Sequence, residues 1–133
     1  MTYLLDTAVC IGFMRNTAPK TIARIQATPF AEMVLCSIVV HELLVGVERS
    51  RKPVTEGPKV AGFISQFQSL PFDDDAARDA AKIRAGLEAQ GLPTGASDLL
   101  IAGIARVRGL ILVTPNIIDF DRIPNLRVEN WEA

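Results

Sequence analysis

The chain has 133 residues, 49% hydrophobic and 22% charged, with a formal net charge of −1. That length carries a single domain whose core needs neither disulfides nor a structural metal. The charge balance excludes capture of nucleic acid by a broad basic surface, though not a nuclease, because a metal cluster supplies local positive charge that composition does not register.

No apolar stretch approaches the roughly 18 residues that a membrane helix needs. The start Met1-Thr2-Tyr3 lacks the basic n-region of a secretory signal. Cys10 and Cys36 each lie in apolar sequence and read as buried free thiols in a reducing compartment. A cytoplasmic protein without membrane contact is expected.

In chain order, a strand is predicted near 2–5, where Tyr3-Leu4-Leu5 runs into Asp6. Asp6 has two readings of equal weight: an N-cap for the helix at 8–15, or a functional acid. A second helix at 19–27 leads to the strand Met33-Val34-Leu35-Cys36 and a helix over 38–50. There Val39, Val40, Leu43, Leu44 and Val47 form an apolar face, with Glu42 and Gly46 on its flank. A flanking glutamate ordinarily reaches solvent, but Gly46 would let a backbone or ligand approach closely.

The polar stretch Arg51 to Pro58 reads as a loop, followed by a helix at 57–67 and a strand at 68–72. Asp73-Asp74-Asp75 cap the helix at 74–89, whose inward stripe is Ala76, Ala77, Ala80, Ile83 and Leu87. Arg84 projects from that stripe, which calls for a partner: a structural ion pair, or else the acidic cluster or a phosphate. Gly91 fits the position that ends this helix.

Ser97 is the expected N-cap of a helix over 97–108, with Asp98 in its first turn. A first-turn acid is ordinary. The following Leu99-Leu100-Ile101-Ala102-Gly103-Ile104-Ala105 is apolar nearly all round, however, which places this turn near the sheet. A strand at 110–113 precedes Asn116-Ile117-Ile118-Asp119, and the last strand falls near 126–128. Asp119 reads as a loop acid, a turn former or a ligand. Asn116 offers an amide oxygen nearby.

Strands alternating with helices, most strands being nearly continuous apolar runs, give an α/β fold with a mainly parallel sheet of four to five strands and helices on both faces. In such a sheet Asp6, Glu42, Asp98 and Asp119 converge outside the carboxyl ends of the strands. Gathered acids repel one another unless a cation joins them, which points to a hard metal, Mg²⁺ or Mn²⁺, and to phosphate chemistry. Ser97, Thr7 and Thr114 are placed to orient the acids or metal waters. The lone His41 and two separated cysteines cannot build a zinc site. There is no G-x-G-x-x-G, P-loop or G-x-S-x-G.

These stretches together resemble the PIN-domain family, and within it the VapC-type toxins of bacterial toxin–antitoxin modules. The resemblance runs through Tyr3 to Thr7, Ser37 to Leu43 with Gly46 and Ser50, and Leu70 to Asp73 with Ala76-Ala77. It continues through Ile83-Arg84 with Leu87-Glu88, Gly91-Leu92-Pro93, Asp98 to Ala102, and Val113-Thr114 with Asn116. It ends with Asp119-Phe120 and Arg122, and Val128 to Trp131.

The resemblance implies one PIN-like nuclease domain over 1–133, acting as a metal-dependent endoribonuclease on structured RNA, with tRNA and rRNA foremost. It also implies neutralisation by a cognate antitoxin and a homodimer. Asp6, Glu42 and Asp98 match the family's metal-binding acids. Asp119 stands where a glutamate is common, with Asn116 as its competitor. Ala8 replaces a usual Asn and Val40 a commoner Thr, so a catalytically impaired domain that binds RNA or antitoxin without cleaving is the alternative. An aspartyl phosphotransferase with Asp6 as nucleophile is a further rival, but it would want a second Asp where Ala8 stands.

Overall fold

A computed structural model describes all residues, 1–133. Five short strands form one sheet: β1 (Tyr3–Leu5), β2 (Met33–Cys36), β3 (Gln68–Leu70), β4 (Ile111–Val113) and β5 (Arg127–Glu129). Their order is β3-β2-β1-β4-β5 and every pairing is parallel. Successive residues of a strand face opposite sides of the sheet. All four residues of β2 and all three of β4 are buried, so helices cover both faces, as the unbroken apolar runs predict. The strand order reverses at β1, which opens the crevice between β1 and β4 where α/β sheets bind ligands.

Seven helices surround the sheet: α1 (Thr7–Met14), α2 (Pro19–Ala27), α3 (Ser37–Glu48), α4 (Pro53–Ile64), α5 (Asp74–Ala89), α6 (Ala96–Val107) and α7 (Ile117–Asp121). Asp73 caps α5, its carboxylate accepting from the Ala76 amide at 3.0 Å. Gly91, at φ 67°, ends that helix: the amides of Gly91 and Leu92 donate to the carbonyls of Glu88 and Leu87. α6 is buried almost all round, at Leu99 and from Ile101 to Ala105. Where it crosses α5, a side chain at Gly103 would come within 2.8 Å of the Ala76 carbonyl oxygen. Only glycine lets the two backbones approach so closely.

Four expectations need correction. α4 begins at Pro53, so most of Arg51–Pro58 is helical. Proline suits a first helical position, where its missing N–H has no helical partner in any case. Pro58 sacrifices one bond, to the carbonyl of exposed Val54, where water can replace it. β3 stops at Leu70 because Pro71 has no ladder donor. Leu44 is 46% exposed and lies outside the buried face of α3, which is Val39 and Leu43. The turn holding Asp119 is itself a helix, α7, too short to show a period in sequence.

Candidate metal and phosphate site

Asp6 leaves the end of β1 and is only 6% exposed. Both its carboxylate oxygens are engaged: Oδ1 accepts from the Thr7 amide at 2.7 Å, and Oδ2 accepts from the Thr114 hydroxyl at 2.6 Å. Asp6 is thus the cap of α1 and a member of the cluster at once, and its two readings do not compete. Thr114, fully buried, follows β4 directly, so the donor reaches Asp6 across the β1–β4 crevice.

Thr7 joins two acids. While its amide serves Asp6, its hydroxyl donates to Glu42 Oε1 at 2.7 Å. Glu42 therefore turns inward from α3 instead of out to solvent. On the far side of Thr114, the Asn116 amide donates to the Thr114 hydroxyl oxygen at 3.0 Å, and the Asn116 side chain approaches Asp98 Oδ2 at 3.5 Å. A single run of polar groups thus links Glu42, Thr7, Asp6, Thr114, Asn116 and Asp98.

The electrostatics follow from this crowding. Burial is the main cause pushing the Asp98 carboxyl up to about 6, and the charges of Asp6, Glu42 and Asp119 push in the same direction. Burial also raises Asp6, against the lowering effect of its hydrogen bonds from Thr114 and Thr7. Asp119 moves the other way: its hydrogen bond from Arg122, helped by one from Asn116, lowers it.

Sequence reading expected Asp6, Glu42, Asp98 and Asp119 to converge; hydrogen bonds join Asp6 to Glu42 through Thr7 and to Asp98 through Thr114 and Asn116, while Asp119 pairs with Arg122. Sequence reading misplaced two other residues. Ser97 is not a cap; the cap of α6 is Gly95, and Ser97 sits inside the first turn. Arg84 does not lie on the buried stripe of α5. It is exposed and pairs with Glu88 one turn on, its Nε 2.7 Å from Oε1. At 100° per residue Arg84 sits beside Ile83, just off the stripe, which is why the pattern misled.

Arg122, to which the sequence assigned no role, is the cation at the cluster's rim, donating from Nη2 to Asp119. The available signal was its spacing: it falls one turn after Asp119, beside the buried anchors Phe120 and Ile123.

Ala8 is exposed on α1, and neither Asp6 nor Glu42 depends on it, because Thr7 and Thr114 supply their donors. Val40 packs against the core.

The donor set is hard oxygen in which only Asp119 of the four acids is paired with a cation, which fits Mg²⁺ or Mn²⁺. No three His, Cys, Asp or Glu side chains are grouped to ligate one ion together. An ion here would therefore have at most two of these carboxylates as direct ligands, with water between it and the others, as Mg²⁺ tolerates. Beside the acids lies a cavity of about 450 Å³ between α1, α3 and α4. Ile11, Met14, Leu43, Val47 and Val60 give it an apolar floor, and Glu42 stands on its wall. Gly46 opens onto this space, since a side chain there would meet nothing within 4 Å. Phe13, by contrast, packs against Phe63.

Residues 3–126 match the PIN domain family model. The chain is 39% identical over 131 residues to the tRNA(fMet)-specific endonuclease VapC of Salmonella typhimurium, with 98% of each covered. It is 34% identical over 133 residues to ribonuclease VapC2 of Rickettsia felis, with 99% of each covered. Among solved structures it superposes on the DNA-bound VapBC of Salmonella typhimurium with a TM-score of 0.92 at 38% identity, covering 98% of each chain. The TM-score is 0.90 at 34% identity for VapBC2 of Rickettsia felis bound to a fragment of promoter DNA, covering 98% of this chain and 99% of that one. The chain belongs to the PIN-domain family, and within it to the VapC type.

Proposed function

We propose that this protein is a metal-dependent endoribonuclease toxin that hydrolyses phosphodiester bonds of structured RNA, tRNA or rRNA foremost, and is neutralised by a cognate antitoxin. The observation that carries the reading is the run of hydrogen bonds that joins Glu42, Asp6 and Asp98 through Thr7, Thr114 and Asn116, while the Arg122 guanidinium is committed to Asp119. Such a cluster is electrostatically costly and calls for an added cation. When bound, Mg²⁺ or Mn²⁺ supplies Lewis acidity toward the phosphate and the attacking water.

The chain's own residues do the rest. Asp6, Glu42 and Asp98 would hold the ion directly or through water, and Asp119 would complete the set from the rim. Thr7 and Thr114 fix the carboxylates so that they do not reorganise during the reaction. Asn116 serves as a donor between Thr114 and Asp98, which favours Asp119 as the fourth acid. No protein nucleophile is needed. The phosphotransferase alternative fits poorly, because both Asp6 oxygens are engaged and the residue is buried.

Substitution Asp98→Asn is expected to abolish RNA cleavage while circular dichroism and thermal unfolding still report a folded protein. Chelation of divalent ions should abolish cleavage by the unmodified protein. Cleavage that persists in both experiments would refute the metal assignment, and binding of RNA without cleavage under any divalent ion would favour the impaired-domain reading.

The antitoxin's seat, in this reading, is the cavity beside Glu42, whose apolar floor is rimmed by Arg15, Glu56 and Lys59. A partner lying there would fill the cavity and cover Glu42 on its wall, keeping substrate from the acids. Gly46→Phe fills the same space, and at least tenfold weaker antitoxin binding is expected in calorimetry. Unchanged affinity would place the antitoxin elsewhere. The protein is expected to act in the cytoplasm, as a homodimer.

A further inference from the structure

We propose that Arg122 is a positioning residue of the acid site, holding Asp119 toward the cluster and supplying the counter-charge that lets a fourth carboxylate stand beside Asp98. This rests on the metal-nuclease reading above and deepens it. Two pairs in the molecule have the same i,i+3 helical spacing and opposite character. Asp75 and Arg78 on α5 meet at 3.1 Å with side chains 72% and 71% exposed, an ordinary solvated pair of little consequence. Asp119 on α7 and Arg122 at its C-cap have side chains only 38% and 25% exposed. Arg122 is thus largely withdrawn from water beside the acid cluster.

Its hydrogen bonding is also incomplete. Nη2 donates to Asp119, but Nε is buried with no partner. A buried guanidinium with an idle donor is costly, and one kept for packing alone would be better satisfied. Arg122 is tied to Asp119 and to no second acceptor.

The helix that carries the pair is fixed. Phe120 is fully buried, Ile123 is 2% exposed, and Asn116, at the N-cap position of α7, turns its side chain to Asp98. Arg122 therefore acts through Asp119. With the arginine removed, the Asp119 carboxylate would be free to rotate into solvent, away from three like charges.

The test compares Arg122→Gln, Arg122→Lys, Asp119→Asn and the double variant Arg122→Gln/Asp119→Asn. Mn²⁺ binding is followed by calorimetry without RNA, alongside the KM and kcat of cleavage. Arg122→Gln is expected to weaken Mn²⁺ binding about tenfold, in the range seen when groups supporting metal ligands are removed. Its KM for RNA should stay unchanged at saturating metal. Arg122→Lys should recover part of the loss.

The double variant should bind Mn²⁺ as Asp119→Asn does, because an arginine acting through Asp119 has nothing left to act on. Unchanged Mn²⁺ affinity in Arg122→Gln, or a loss that adds in full to that of Asp119→Asn, would overturn the proposal. So would a raised KM with metal affinity intact, which would make Arg122 a phosphate contact instead. Should Arg122→Gln fail to fold, Arg122→Lys carries the comparison: Mn²⁺ binding intermediate between the unmodified protein and Asp119→Asn supports the proposal, and binding equal to either one overturns it. Failure of the unmodified protein both to bind Mn²⁺ and to cut RNA would remove the metal reading and this inference together, whereas normal binding and cleavage with an inert Arg122→Gln would remove only this one.

Discussion

The acids are held by two different kinds of anchor. On the inner side, Asp6 and Glu42 sit where β1, α1 and α3 meet, and their donors are neutral: the Thr7 amide and the hydroxyls of Thr7 and Thr114. On the outer side, Asp119 rides on a five-residue helix and is held by a charged guanidinium. Neutral donors fix a carboxylate without cancelling its charge, so the inner acids keep their full attraction for a cation. A guanidinium fixes and neutralises at once. Under the proposed metal role, Asp6 and Glu42, with Asp98 between the two sides, would be the stronger ligands and Asp119 the tuned one.

The largest effect expected from breaking the inner anchors is at Thr114. Thr114→Val removes a buried donor and leaves Asp6 Oδ2 unpaired, with the Asn116 amide also losing its acceptor. Stability should fall by about 1–3 kcal/mol in denaturant unfolding. Metal affinity should fall about 10- to 100-fold. Thr114→Ser, which keeps the hydroxyl, should recover most of both. If Thr114→Val matched the unmodified protein in metal titration, neutral anchoring of Asp6 would carry no weight.

A smaller effect of opposite sign is expected at Asp98. Its carboxyl is raised to about 6 by burial and by three acids, so in the metal-free fold the charged form is disfavoured relative to the unfolded chain. Sign follows from that: the group favours the fold fully below about pH 4, and its contribution is lost as pH rises through about 6. Asp98→Asn carries no such charge. The metal-free variant should therefore be more stable than the unmodified protein above pH 6, by on the order of 1 kcal/mol once partial exposure is allowed for. The advantage should vanish near pH 4. Excess Mn²⁺ should reverse the order at pH 7, because only the unmodified protein gains a ligand. Equal stability of the two metal-free proteins at pH 7 and pH 4 would mean that Asp98 does not bear the cluster's repulsion.

Sequence alone reveals the inner side better than the outer, for a physical reason. The strands β1, β2 and β4 are buried on both faces and so appear as unbroken apolar runs, which places Asp6 at a strand end and Glu42 on the following helix. The all-round apolar character of α6 likewise places Asp98 near the sheet. What hides is anything set by a short or irregular segment. α7 has no period to read, so the i,i+3 spacing of Asp119 and Arg122 gains its meaning only once the turn is seen to be helical. The proline that opens α4 looks like a loop residue, and Arg84 lies one 100° step from a stripe it does not join.

The smallest effect is expected at Ala8, and it bears directly on whether the inner side is complete. The resemblance drawn from the sequence implies an Asn there, whose replacement would leave the site weakened. Yet Ala8 is exposed on α1, and all the donors to Asp6 and to the Glu42 oxygen facing Thr7 come from Thr7 and Thr114. Restoring the amide adds a polar group to a position that no acid uses as an anchor. Ala8→Asn should thus change Mn²⁺ affinity and stability by less than about twofold and about 0.5 kcal/mol, the ordinary range for a surface substitution. A tenfold gain in either metal affinity or kcat would show that the two threonines leave the inner acids underheld.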